Sequence, residues 1–385
     1  MHLQTYHPPH LRHMSKREHI IIALLLRDFG SSMVTMFVPI ILYVENYPLT
    51  WIGFYFVIQA FGRILTDLTL PAIFTKIGIH NTMRISLVMH FGFMIILNFI
   101  GVSELMVVFA ALYAAIMYTL FWIPRHIDTL NIVSKKRSEQ EIGNIEIGSA
   151  IMGISAPFLG GIIAEYLSIQ LLFGVAFGVL FSASVVISRE ARAERRIKKV
   201  DLGSAFKRAK LWRAQVAYFG SEVQSEIAFF IWPLFIFLTI DNIGTVGGIF
   251  AVGNLAYMGI IYATARHGSK VVWFLTGTVL RIVSFIGRAF TGNVFAATVS
   301  DQAGATANGF TYPVLIDDYY KRASDGDKIA NIIAVELVGD FGKLFIWSAF
   351  TLAVANLPQD AAFDLIFIGA IPFILMRLFM LREWK

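Results

Sequence analysis

Polar positions in this chain come in short clusters, and between them the sequence stays apolar for about 20 residues or more, the length a helix needs to cross a ~30 Å hydrocarbon layer. Twelve such stretches can be laid out. They are 19–44, 50–74, 82–101, 104–126, 143–165 and 168–188, then 214–240, 244–265, 271–289, 292–316, 328–355 and 361–381. The runs are continuously apolar and do not alternate over ~10 residues, which rules out the strands of a membrane β-barrel. The pattern predicts an all-α membrane protein with twelve transmembrane helices.

The strongest polar interruption falls at the middle. Residues 189–213 hold ten Lys or Arg against Glu190, Glu194 and Asp201, a net charge of +7, whereas the whole chain of 385 residues carries +6. A segment this charged cannot lie in a bilayer. It divides the chain into a tail (1–18), a first six-helix bundle (19–188), a basic linker (189–213) and a second six-helix bundle (214–385). Within the linker, Leu202, Ala205, Phe206, Ala209 and Trp212 recur at helical spacing among Lys207, Arg208 and Lys210. That spacing predicts a short amphipathic helix lying at anionic lipid headgroups.

Composition adds direction. Hydrophobic residues make up 57% of the chain and charged ones 15%. A basic balance would ordinarily raise nucleic acid as a partner, but here the basic residues lie in the connectors. With the N-terminus inside, 27 of the 32 Lys and Arg fall in inside segments and only Arg288 borders an outside loop. Both termini are therefore expected in the cytoplasm, with the bundles in the inner membrane, lipid as the surrounding partner and no nucleic acid. There is no cysteine, so disulfides and thiolate metal sites are excluded. The leader with His2, His7, His10 and His13 reads as a polar tail, and no metal or cofactor is expected. Walker, His-Glu-x-x-His and Gly-x-Ser-x-Gly patterns are missing, so the chain is not expected to be an enzyme.

The two halves carry ordered matches. Pro39 and Pro233 lie 194 residues apart, and so do Gly53 and Gly247. Pro124 and Pro313, and Asp128 and Asp317, are separated by 189, and Glu146 and Glu336 by 190. A slowly drifting offset is what a duplicated six-helix unit leaves behind.

Two sets of six spans, a basic cytoplasmic linker and both termini inside resemble the major facilitator superfamily over the whole chain after the leader. The family's loop between helices 2 and 3 reads Gly-x-Leu-Ala-Asp-Arg-x-Gly-Arg-Arg. PAIFTKIGIH at 71–80 keeps Lys76 and Gly78 and has Thr75 at the acidic position, while ATARHGSKVV at 263–272 keeps a basic residue and Gly268. SAPFLGG at 155–161 is similar to the Gly-Pro-x-x-Gly-Gly pattern of exporters, with Ala156 in first place. AALYAAIMYTLFW at 110–122 lacks the helix-4 arginine of many proton-coupled members. The resemblance implies two pseudo-symmetric six-helix bundles that rock about a central cavity lined by helices 1, 4, 7 and 10. It implies a secondary active transporter of a small organic solute, with a lean to export from the exporter-like stretch; coupling to protons is expected from the buried acids and bases below, and a monomer is expected. The alternatives are a proton-coupled uptake symporter of a polar solute and a non-transporting sensor or scaffold on the same fold.

An ionisable side chain at the bilayer centre costs ~2.5–3.5 kcal/mol on insertion scales, so each one needs a reason. On helix 11, Glu336, Asp340 and Lys343 share a face with Trp347. Asp340 and Lys343 are expected to neutralise each other, leaving Glu336 to titrate. On helix 7, Glu222 and Glu226 form a like-charged i, i+4 pair with no cation nearby in sequence, and are the preferred proton site. Arg27 and Asp28 are adjacent on helix 1, point in different directions and should find partners on other helices. Arg281 on helix 9 is expected to meet a carboxylate of helix 7 or 11. These eight are the candidate substrate or proton-coupling residues. Arg63 and Asp67 on helix 2 are placed to pair with one another, and Arg125, Asp128, Glu146 and Asp317 sit at inner helix ends. Those six are candidates for gating or helix pairing. Internal ion pairs and solvated helix ends are the competing structural reading for both sets. His90 is read as a packed, hydrogen-bonded residue, and Asp301 as a further buried candidate.

Overall fold

The computed structural model describes residues 16–132, 138–188, 200–206, 211–264 and 270–383, and every regular element among them is helical. Twelve rods follow one another. In the first half they are α1 (Lys16–Thr35, continued by Val38–Val44), α2 (Leu49–Ile77), α3 (Ile79–Leu97), α4 (Glu104–Ile132), α5 (Ser138–Tyr166) and α6 (Ile169–Ser188). In the second they are α7 (Trp212–Glu226, Ile227–Ile231 and Trp232–Ile240), α8 (Ile243–Thr264), α9 (Lys270–Ala289), α10 (Val294–Ala323), α11 (Lys328–Asn356) and α12 (Gln359–Gly369, Ile371–Met376 and Arg377–Glu383). Among the described residues, eight helices are long and apolar enough to cross a membrane: α1, α2, α4, α6, α7, α8, α9 and α12. The chain is thus an integral membrane protein. In α5 the described apolar part, Ile151–Tyr166, is shorter, and α10 and α11 carry the polar residues of the site below. Helices suit this setting because they satisfy every backbone group internally.

Breaks and turns repeat between halves. α1 restarts at Val38 with Pro39 in its first turn, and the last part of α7 starts at Trp232 with Pro233 in the same place. Proline removes one backbone donor at each place, and each falls where the regular α-helical ladder is already interrupted. Each rod then ends in a left-handed residue, Asn46 and Asp241 respectively. Between α2 and α3 the chain turns on Gly78, whose φ of 83° favours a residue without Cβ. Asn293 and Asp327 cap α10 and α11 by accepting backbone N–H bonds from Ala296, and from Ile329 and Ala330.

The halves meet along two related seams. α2 packs on α11, and α5 packs on α8. On the first, a Cβ at Gly53 would stand 3.2 Å from the Thr351 Cα; on the second, one at Gly247 would stand 2.5 Å from the Pro157 carbonyl oxygen. The two glycines that match in sequence therefore do the same work, letting one half approach the backbone of the other. The largest apolar cluster runs through both halves, and the C-terminal ends of α1 and α7 touch through Tyr43 and Phe237.

The linker departs from expectation. Its described part forms a short helix, Leu202–Phe206, that packs on α11. Val200, Ala205 and Leu211 are buried with Ile123 and Ile127 of α4, Tyr319 of α10 and Ile332 of α11. Only Phe206 and Trp212 of the expected apolar face remain exposed. Periodicity finds the apolar stripe but does not say whether lipid or protein covers it. Lys207, Arg208, Ala209 and Lys210 lie outside the described residues.

Candidate functional site: a buried acid-rich network between the halves

Helix spacing sets the register of the network. On α11, Glu336, Asp340, Lys343 and Trp347 fall three or four residues apart and so form one stripe, all of it buried. On α7, Tyr218, Glu222 and Glu226 form the facing stripe. The π-helical stretch Ile227–Ile231 follows Glu226 directly. Such a stretch shifts the helix register, and here it lies between Glu226, which faces α11, and Trp232, which bonds α10.

The contacts are specific. Arg63 of α2 donates through Nε to Asp340 Oδ1 at 2.8 Å, and Lys343 Nζ reaches the same oxygen at 2.7 Å. Lys343 also pairs with Glu222 at 3.0 Å. Trp347 donates Nε1–H to Glu226 Oε2 at 2.7 Å, while its ring stacks on Phe56 of α2 at 4.0 Å. Tyr218 donates to Glu336 Oε1 at 2.7 Å, and His126 Nε2 of α4 stands 3.3 Å from the same oxygen. His126 Nδ1 is 2.8 Å from the Tyr320 hydroxyl of α10. Asp67 is buried, and its carboxyl neighbours that of Asp340. Among the described residues, five carboxylates here, four buried and Glu222 half-buried, face Arg63 and Lys343, with Arg377 of α12 near Glu222.

Several sequence expectations change. Arg63 does not pair with Asp67 four residues away but reaches across the seam to Asp340, because both inward faces meet at the α2–α11 contact. The Glu222–Glu226 pair does have a cation: it comes from α11, out of reach of any local count. Asp340 and Lys343 pair as expected. Glu336 takes its partners from α7 and α4.

In the first half, Arg27 Nη1 bonds Asp28 Oδ1 at 3.0 Å, and Arg125 Nη1 bonds it at 2.9 Å. Arg27 and Asp28 thus do pair, contrary to expectation, while each also has the expected partner on another helix, His90 of α3 and Arg125 of α4. Arg27 also packs 3.7 Å over the Phe121 ring and donates Nε–H to His90 Nε2 at 3.1 Å. His90 Nδ1 stands 2.8 Å from the Ser86 carbonyl, which makes it a packed, hydrogen-bonded residue. Asp128 lies 3.3 Å from His80, and Asp317 lies 2.6 Å from Lys321 and 3.6 Å from Lys270. The side chain of Glu146 lies outside the described residues.

In the second half Arg281 meets no carboxylate of α7 or α11. Its acidic neighbour is Asp301 of α10, and its Nη1 donates to the Gly304 carbonyl at 3.0 Å. Counting basic residues placed Arg288 beside an outside loop and Arg377 in an inside segment, yet both are 1% exposed. They sit near helix ends, where a long side chain can turn into the bundle as readily as out of it. His126 stands out in the sequence beside Arg125 and Asp128 as an end-of-helix charge after Pro124, but Tyr218, Tyr320, Arg288 and Arg377 were not among the candidates; only their place on the inward stripes of α7, α9, α10 and α12 could have marked them. Among the described residues, no three His, Asp or Glu side chains converge as metal ligands.

No family model matches the chain, and no curated protein matches it in sequence. Its fold is similar to a crystal structure of the human organic anion transporter MFSD10 (TETRAN), with a TM-score of 0.66 and 14% identity, over 98% of this chain and 100% of that one. The arrangement of helices is that of the major facilitator fold.

Proposed function

We propose that the chain is a secondary active transporter that moves a small organic solute by alternating access, with protons taken up at the carboxylates of α7 and α11. The observation that carries this reading is the charge imbalance of the inter-half network, in which five carboxylates, four of them buried, face Arg63, Lys343 and, beside Glu222, Arg377. Uncompensated carboxylates in a low-dielectric interior are costly, and protons relieve that cost. Asp67 Oδ2 and Asp340 Oδ2 are both buried without a donor, and the two carboxyls are neighbours. One proton held between them would supply it.

The network also spans the parting line. A proton leaving Glu226 or Glu336 adds negative charge beside Lys343 and Arg63 and strengthens the α2–α11 seam. A proton arriving weakens it, so protonation biases which side of the molecule opens. A His126 that holds its proton on Nε2 can donate to Glu336 while accepting from Tyr320 at Nδ1, giving a route from the α10 inner end. Glu226 and Glu336 are the preferred coupling residues, because Lys343 is already committed to Glu222 and Asp340.

In this reading all twelve rods cross the inner membrane as bundles 19–188 and 214–385, joined by 189–213, with both termini cytoplasmic. The transporter works as a monomer. The likeness to an organic anion transporter supports transport in general, and the exporter-like stretch of α5, seated on α8, supports export. Proteoliposomes carrying the purified chain test the coupling with a panel of small organic solutes under an imposed pH gradient. At least one solute should move with the gradient. Glu226→Gln together with Glu336→Gln should abolish gradient-driven movement while solute exchange at equal pH continues. Gradient-driven movement at the original rate in the double variant removes these residues as the coupling site.

A further inference from the structure

The second bundle holds a charge imbalance of the opposite sign, away from the inter-half network. Arg281 and Arg288, seven residues apart on α9, lie on one face of that helix and converge on Gly304 of α10. Arg281 donates Nη1–H to the Gly304 carbonyl, and Arg288 Nη2 lies 3.1 Å from where a Cβ on Gly304 would stand. A Cβ there would crowd the second guanidinium and the Ser284 hydroxyl, which stands 2.8 Å from it. Arg377 of α12 lies within electrostatic range of Arg281 and donates to Thr311 and Ser221.

Of these three guanidiniums, none more than 5% exposed, Arg281 and Arg288 share Asp301 as their acidic neighbour. Asp301 Oδ1 accepts instead from Trp232 Nε1 at 3.2 Å. The carboxylate near Arg377 is Glu222, which pairs with Lys343. Arg281 Nε, and Nε and Nη1 of Arg288, are buried donors with no acceptor. Each such orphan is costly, more so when charged, and like charges add to the cost.

We infer that α9 and α10 form a site for a small monovalent anion, held between the guanidiniums of Arg281 and Arg288 where they meet at Gly304. The donors left over are planar N–H groups on fixed guanidiniums, the chemistry that binds a halide or a carboxylate. Arg288 lies 4.9 Å over the Trp232 ring, so an anion drawn to it changes the surroundings of that indole. The inference concerns binding within one bundle and does not rest on the transport reading.

The test uses the purified full-length protein in detergent, with chloride or acetate replacing the bulky sulfonate of sodium Hepes at constant ionic strength, read by melting temperature and tryptophan fluorescence. A saturable rise in melting temperature with a matching fluorescence change is expected. Saturation by chloride identifies a resident inorganic anion, and saturation by acetate alone identifies the carboxylate of an organic ligand. Arg288→Gln should weaken the apparent affinity about tenfold, equivalent to ~1.4 kcal/mol. Asp301→Asn removes the competing negative charge and should tighten it, which keeps the test open if the arginine variant fails to fold. A wild-type protein that responds saturably to neither anion overturns the inference. So does a response with the same midpoint in the wild type and in Asp301→Asn.

Discussion

Arg63 shows how much one residue's partner matters. Its place four residues before Asp67 predicts a local pair, but the guanidinium crosses to Asp340 at 2.8 Å and ties the halves together. Breaking a buried pair from one side leaves a bare charge and costs on the order of 3–5 kcal/mol. Arg63→Met and Asp340→Leu should each lower the melting temperature of the purified protein sharply. The double variant should lose less than the sum, and simple additivity would argue against a direct pair. Glu226→Gln should behave differently, because glutamine's oxygen can still accept from Trp347. Its stability should stay within about 1 kcal/mol of wild type, since the hydrogen bond survives. The candidate list read from sequence did include the core of this network, Glu222, Glu226, Glu336, Asp340 and Lys343, because charges in apolar spans stand out. Their partners were not legible: pairing here depends on which helices touch, and no local spacing encodes that.

Among elements, the two glycine seams make the sharpest prediction. Gly247 and Gly248 are neighbours on α8, yet a Cβ on the first would press 2.5 Å from the Pro157 carbonyl, while one on the second would meet nothing within 4 Å. Gly247→Ala should separate α5 from α8 and lower the melting temperature markedly, whereas Gly248→Ala should match or slightly exceed wild type. Equal effects of the two would mean that α5 and α8 are not in backbone contact. The matched positions Gly53 and Gly247 marked both seams in the sequence, since a duplicated unit places equivalent residues at equivalent contacts. The helices themselves were legible from their apolar lengths. The linker was only half so, because its stripe of Leu202, Ala205 and Phe206 fits a lipid surface as well as the side of α11 that it covers.

For the whole molecule, the central claim is that protonation of the acid-rich network decides which side opens. The chain has no cysteine, so spin labels can be placed at will without removing native residues. Thr75 and Ala263 are exposed near corresponding ends of α2 and α8, and Ser103 and Gly292 are exposed at the opposite side of the two bundles. One label pair on 75 and 263 and another on 103 and 292, measured by pulsed electron spin resonance across a pH series, report the two sides separately and need no known solute. Alternating access driven by these carboxylates predicts two distance populations for each pair. Their weights should shift in opposite senses with pH and freeze in Glu226→Gln with Glu336→Gln. Distances that stay fixed across the series, or lengthen on both sides together, would contradict it.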